Sequence, residues 1–290
     1  MEIAELSKKE KFIITAELGP PKGVSLDSFF KQAAYLKRNV AAANVTDQQA
    51  GIMRLGSLAA CVKLKEFGIE PVMQMTLRHR NRIALQSDVL SAGVLGIKNI
   101  LALTGDPAAI GDHKEAKDVS DIDLMQFLSL VHKMESGKDM SDNALAGSPE
   151  VCVGAALNPC VEDWNTEISK TRNKVESGAE FFQTQGVFDP GRFKKFMHLY
   201  KQEGMGVPVL AGIILLKSAK MANFMNEKIP GIFIPKLLLE RLEKAADAKK
   251  ECVSIAVETI QAIQPLVQGV HLMAIGWEEL IPEIVKRIAK

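Results

Sequence analysis

Cysteine is scarce and scattered in this chain. Cys61, Cys152, Cys160 and Cys252 are its four cysteines, and no two of them form a CxxC pair. That spacing excludes a zinc ribbon and a run of iron–sulfur ligands, and it makes reduced thiols the expected state. An excess of one charge is also missing. The 36 basic residues face 35 acidic ones, a net charge of +1, too even to hold nucleic acid or a membrane surface by bulk charge. No apolar run reaches the ~20 residues needed to span a bilayer. The opening Met-Glu-Ile-Ala-Glu carries no hydrophobic signal core, so a cytoplasmic chain is expected. Glycine-rich phosphate loops are lacking too. With no GxGxxG after a strand and no GxxxxGK(S/T), a nucleotide cofactor is not held by a Rossmann half or a P-loop. The five histidines show no HxxxH metal spacing.

What is present is apolar and periodic. Hydrophobic residues make up 47% of the 290, enough for a large core. Short β-rich apolar runs fall at Phe12–Leu18, Val40–Asp47, Glu70–Thr76, Asn99–Gly105, Val151–Leu157, Phe181–Gln185, Pro208–Ile214 and Gly269–Ile275. Between them lie helical patterns at Leu26–Arg38, Met53–Phe67, Arg82–Leu95, Ile122–Met134, Trp164–Ser177, Arg192–Glu203, Met221–Asn226 and Leu237–Ile263. Nearly continuous apolar strands alternating with amphipathic helices predict a parallel sheet covered on its outer face. Eight such units in this length predict an α/β fold, a closed (βα)8 barrel forming one domain over residues 1–290. Two connections are long: 111–149, with a polar excursion at 135–148, and 217–236, punctuated by Pro230-Gly231 and Pro235.

In such a barrel the C-terminal strand ends share one ligand-binding bowl. The residues there are Glu17; Thr46, Asp47 and Gln48; Thr76, Arg78 and His79; Asp106; Asn158; Gln185; and Gly276 with Trp277. Most are polar, although the strands that feed them are not, which suits a small-molecule site. The run Ile100-Leu-Ala-Leu-Thr-Gly-Asp-Pro107 ends a strand abruptly and leaves a carboxylate on the lip; a plain Asp-Pro turn is the alternative. Glu17 interrupts an apolar strand. A carboxylate without water around it favours its protonated form and becomes a candidate proton donor; pairing with an Arg or Lys is the other reading. Gln185 can match the edge of a heterocycle or bond loop backbone. Arg78-His79-Arg80-Asn81-Arg82 can hold an anion or simply begin a solvated helix.

Taken together, Ala16-Glu17-Leu18-Gly19-Pro20-Pro21, Asn44-Val45-Thr46-Asp47, Gln74-Met75-Thr76, Ala102-Leu103-Thr104-Gly105-Asp106-Pro107, Thr184-Gln185 and His271-Leu272-Met273 resemble, in order and spacing, the motifs of methylenetetrahydrofolate reductase. The resemblance runs from Phe12 to Trp277 and looks like the compact prokaryotic form, without a C-terminal regulatory domain. It implies a (βα)8 barrel holding a flavin, usually FAD, whose reduced form passes hydride to 5,10-methylenetetrahydrofolate and gives 5-methyltetrahydrofolate. By motif it implies Glu17 as general acid, Asp106 beside flavin and folate, and Gln185 on the pterin. Cofactor-binding positions are implied at Thr46, Asp47, Gln74, Thr76, Thr104, Gly105, Asp106, Ala156, Leu157, Asn158 and Lys174. Substrate binding falls to Glu17, Asp106 and Gln185, and no metal is implied.

The chain departs from the family where Gln74-Met75-Thr76 replaces a frequent His-Leu-Thr, where Thr104-Gly105-Asp106 replaces Arg-Gly-Asp, and where Leu157 stands for a common Tyr. FAD or FMN stays open as the flavin. The electron donor stays open between NADH or NADPH and a separate iron–sulfur and zinc subunit, and an oligomer is expected. Two rival readings are a flavin-independent reductase using a nicotinamide directly, and a subunit that docks in a larger electron-transfer complex and is inactive alone with NAD(P)H.

Overall fold

The computed structural model describes residues 2–9, 12–229 and 231–289, so Pro230 of the expected Pro230-Gly231 turn lies outside the described residues. Eight parallel strands close into a barrel in chain order: β1 (Ile13–Leu18), β2 (Ala42–Val45), β3 (Pro71–Thr76), β4 (Asn99–Leu103), β5 (Cys152–Leu157), β6 (Phe181–Gly186), β7 (Val209–Ile214) and β8 (Gly269–Met273). β1 pairs with both β2 and β8, Thr15 standing beside Ala42 and His271, so no strand edge is left open. The expected (βα)8 architecture is borne out.

The helices are α1 (Ile3–Lys9), α2 (Asp27–Leu36), α3 (Ser57–Phe67), α4 (Arg82–Val94), α5 (Leu124–Glu135), α6 (Trp164–Glu176), α7 (Pro190–Gln202), α8 (Ala219–Lys228), α9 (Lys236–Lys244), α10 (Ala248–Ile263) and α11 (Ile281–Ile288). Six of them start at side-chain caps. Asn81 accepts from the Ile83 and Ala84 amides, Asp123 forms a capping box with Gln126, and Asp163, Asp189, Ser218 and Asp247 cap α6, α7, α8 and α10. Each cap satisfies amides that the first turn leaves without partners.

Several expected boundaries are corrected. The single helix expected at Leu237–Ile263 is two, because Ala245 is extended and Asp247 starts α10 by accepting from the Lys249 and Lys250 amides. The helix expected from Met53 begins at Ser57; the Met53 amide instead donates to Asp112 and the Arg54 amide to Gln48. The second strand is shorter than Val40–Asp47, and the eighth stops before Ile275, where Ile275 and Gly276 both take positive φ. Helix α7 starts before Arg192 because Asp189 caps it and Pro190 fills its first turn. Helices α1 and α11 were not expected.

The barrel interior is layered. Its lower layer is apolar, built from Ile13, Ala42, Val72, Leu101, Phe181 and Leu210 and sealed from below by Ile3 and Leu6 of α1. The Ile3 amide donates to Asn99 Oδ1 at 2.8 Å, fixing that plug. Phe181 fills the axis because position 154 is glycine; a Cβ there would sit 2.5 Å from the ring. Above this layer the inward residues turn polar, and the site begins.

Candidate active site

The C-terminal ends of the strands open into a bowl of about 860 Å³, within the ~300–1,000 Å³ of small-molecule sites. Its floor comes from inward positions of the strands themselves. Glu17 on β1, Gln74 on β3, Gln183 on β6 and His271 on β8 all line it. Gln74 Nε2 donates to Glu17 Oε2 at 3.1 Å. His271 Nε2 faces the same oxygen at 3.7 Å, and Thr15 Oγ1 lies 2.9 Å from His271 Nδ1. No Arg or Lys pairs with Glu17 among the described residues, which removes the simplest structural reading of a carboxylate in that strand.

At the β2–β3 lip, Asp47 is fully buried and fully partnered. It accepts from the amide and hydroxyl of Thr76 at 2.9 and 2.8 Å and from both terminal nitrogens of Arg80 at 2.6 and 3.2 Å. Its carboxylate therefore holds the lip together, while Thr76 lines the bowl. Thr46 is buried, and its hydroxyl has no hydrogen-bond partner among the described residues. The basic run resolves into local ties. Arg78 bonds the Gly105 carbonyl and Asp118, Arg80 pairs with Asp47 and Asp88, Arg82 pairs with Asp121, and Asn81 caps α4. Every arginine of the run already has a carboxylate, so the cluster pins the strand-to-helix loop rather than offering free cations.

At the β4 lip Thr104, Gly105 and Asp106 line the bowl. Gly105 has φ +87°, and a Cβ there would lie 2.9 Å from Thr76 Cβ; a left-handed position against a packed neighbour requires glycine. Asp106 is exposed, and its Oδ2 accepts from the Ala50 amide at 2.8 Å. That bond ties the β4 lip to the β2–α3 loop, where Gln48 and Ala50 also take positive φ. The same two loops meet again where Gly51 approaches Pro107 and Gly111.

The opposite wall is basic. Ala156, Leu157 and Asn158 of β5 line it with Lys170, Asn173 and Lys174 of α6. Lys174 Nζ donates to the Ala156 carbonyl at 2.8 Å and lies 3.9 Å from Glu167. Burial holds the Lys174 ammonium below the ordinary lysine range, with Lys170 adding to it and Glu167 opposing. The Glu167 carboxylate in turn accepts from the Asn158 amide at 3.0 Å. At β6, Gln185 Oε1 accepts from the Gly186 amide at 3.1 Å, and its Nε2 has no partner among the described residues.

Glu17, Gln74, Thr76, Thr104, Gly105, Asp106, Ala156, Leu157, Asn158, Lys174 and Gln185 thus share one bowl, with Asp47 at its edge; Thr46, Gln48, His79, Gly276 and Trp277 are not among its lining residues. Gln183, His271 and Lys170 carry no role in the sequence motifs. The signal for the first two is parity: counted outward from Glu17 and Thr15, both fall on inward positions of their strands.

A model of the methylenetetrahydrofolate reductase family matches residues 2–289. The chain belongs to that family. It is 26% identical over 290 residues to methylenetetrahydrofolate reductase 2 of Schizosaccharomyces pombe, covering 93% of this chain and 44% of that protein. Methylenetetrahydrofolate reductase (NADH) 1 of Arabidopsis thaliana is 31% identical over 144 residues, 47% of this chain and 24% of the plant protein. The chain spans less than half the length of these curated relatives. Among solved structures, an uncharacterized protein from Clostridium thermocellum that binds two copies of 5-methyl-5,6,7,8-tetrahydrofolic acid superposes with a TM-score of 0.66 at 18% identity, covering 99% of this chain and 96% of that one. That likeness is one of fold, and the family resemblance carried by the strand-end motifs is borne out. None of the described helices is long and apolar enough to cross a membrane.

Proposed function

We propose that this barrel reduces 5,10-methylenetetrahydrofolate to 5-methyltetrahydrofolate with a bound flavin, and that Glu17 is the general acid. The observation that carries the reading is the setting of Glu17. It is the acid built into the floor, 16% exposed, held on one oxygen by Gln74 and lying beside His271. A folate-binding neighbour of the same fold adds support.

The residues fit a flavin. Gln74 and Gln185 offer carboxamides to the polar edge of a heterocycle, while Gln183 is held by Asn44. The small residues Gly105 and Ala156 leave room for a flat ring, and Lys170 and Lys174 give a phosphate-bearing tail a basic wall. We take FAD as the flavin, with FMN the shorter alternative. When bound, the flavin supplies the hydride.

The protein's own work is proton and charge placement. Glu17 gives its proton to the departing nitrogen of the five-membered folate ring. The carboxyl O–H bond breaks as the C–N bond opens, and the lone pair of the other nitrogen forms the iminium double bond. A cation develops, and Asp106 on the lip places a negative charge toward it. Gln185 Nε2 orients the pterin. Asp47 and Arg80 hold Thr76 and the lip in place. We take a nicotinamide as the electron donor, as NADH and NADPH in the names of relatives suggest. A separate iron–sulfur and zinc subunit is the alternative.

The test is the absorbance spectrum of the purified chain, the mass of its released cofactor, and turnover with NADH, NADPH and reduced viologen. Flavin bands with folate reduction support the proposal. Turnover with viologen alone assigns the donor role to a partner subunit. A colourless protein that reduces the folate with a nicotinamide would replace the proposal with direct transfer.

A further inference from the structure

Glu17 has two oxygens, and the barrel treats them differently. Oε2 receives Gln74 Nε2 at 3.1 Å and faces His271 Nε2 at 3.7 Å. Oε1 has no protein partner among the described residues. His271 is itself held: its side chain is only 4% exposed, and Thr15 Oγ1 stands 2.9 Å from Nδ1. The Thr15 hydroxyl has one proton and two acceptors in reach, His271 Nδ1 at 2.9 Å and the Val270 carbonyl at 3.4 Å. The carbonyl contact is stretched beyond the usual O–H···O range, which favours donation along the shorter one. Nδ1 is then an acceptor, so in the neutral ring Nε2 carries the hydrogen and presents it to Glu17.

We propose that His271, set in this tautomer by Thr15, is a positioning residue for Glu17: together with Gln74 it engages Oε2, so that the transferable proton resides on Oε1. The inference rests on the reading of Glu17 as general acid and says which oxygen acts and what selects it. A carboxyl whose carbonyl-type oxygen already accepts donors keeps its hydroxyl on the other oxygen. Once the proton has left, the same donors hold the carboxylate. At 3.7 Å the His271 contact is long for a hydrogen bond, and a charged Glu17 is expected to draw it in. The neighbouring strands bring no competing cation. Asn44 stands beside Glu17 on β2, and Asp47 is already paired with Arg80.

Two isosteres separate position from bulk. Glutamine places an amide nitrogen where His271 Nε2 lies, and asparagine places one near Nδ1 and leaves the Nε2 position empty. His271→Asn is expected to lower kcat for folate reduction by about tenfold to 100-fold with KM little changed, a part of the ~10²–10⁴-fold effect of a general acid. His271→Gln is expected to stay within about threefold. Equal losses in both variants would reduce His271 to packing and overturn the proposal.

A second readout needs no turnover. In the ¹⁵N spectrum of the histidine-labelled chain, with His271→Gln assigning the signal, Nε2 should carry the proton and Nδ1 none. Glu17→Gln should move the Nε2 signal, and Thr15→Val should weaken the tautomer preference. A protonated Nδ1, or an Nε2 signal blind to Glu17→Gln, would overturn the proposal even if His271→Asn failed to fold. Retained folate reduction in Glu17→Gln would instead overturn the acid assignment and leave the tautomer result standing.

Discussion

Asn44 and Gln183 meet across the barrel interior and exchange two hydrogen bonds, Asn44 Nδ2 to Gln183 Oε1 at 2.6 Å and Gln183 Nε2 to Asn44 Oδ1 at 3.1 Å. Both side chains are buried, and β2 and β6 are not neighbours in the sheet, so the pair is a strut within the floor of the bowl. Asn44→Leu leaves the Gln183 amide without its partner and should cost about 1–3 kcal/mol. The double variant with Gln183→Leu should cost less than the two single losses added together. Urea unfolding measures all three, and strict additivity would mean that the two amides are not coupled.

Asp47 and Arg80 form the most demanding charge pair of the lip. Removing the guanidinium leaves a fully buried carboxylate with only the Thr76 amide and hydroxyl as donors. Arg80→Ala should therefore destabilise the chain by about 3–5 kcal/mol. Arg80→Lys should recover part of that, because an ammonium restores charge without the two-pronged fork. A melting temperature unchanged in Arg80→Ala would show that water reaches Asp47.

Glu17→Gln should still accept electrons into its flavin normally while folate reduction falls by about 10²–10⁴-fold. The two half-reactions, followed separately by stopped flow, check this. An equal loss in both would remove Glu17 from the role of acid.

The fold was legible because a parallel barrel writes itself as apolar runs separated by helical periods, and each expected strand overlaps an observed one. The lip was legible for the same reason: a strand end is visible where Leu103 gives way to Thr104-Gly105-Asp106. The polar layer beneath it was not. Strands buried on both faces lose the alternation that would reveal which residues point inward, so Asn44, Gln183 and His271 read as single polar residues in apolar surroundings. The arginine run misled for a different reason. Asp88 lies on the helix the run begins, but the partners Asp47, Asp118 and Asp121 come from other parts of the chain, and only the folded barrel brings them to it. Helix α11 was missed because its buried stripe, Ile281, Ile284 and Ile288, lies just past a strand end with no capping side chain to mark it.

His132 gives the fold a pH dependence with a definite sign. Burial disfavours its charged form, but the Gly178 carbonyl at 2.7 Å and Glu135 at 2.8 Å, with Glu180 nearby, outweigh that and hold its pKa above the ordinary value. A group raised on folding stabilises fully below its unfolded pKa, about 6.5, and loses that contribution as pH rises through the folded value. Stability should therefore fall from about pH 6 to pH 8, and His132→Gln should flatten that part of the curve. A curve of the same slope in the variant would assign the dependence to another group.

A single turnover tests flavin-dependent folate reduction by this barrel most directly. The flavin in the purified chain is reduced without oxygen and then mixed with 5,10-methylenetetrahydrofolate. The oxidised flavin band is expected to return while 5-methyltetrahydrofolate forms in equal amount. A band that stays bleached in the presence of the folate, or folate reduced by a chain that holds no flavin, would contradict flavin-dependent reduction.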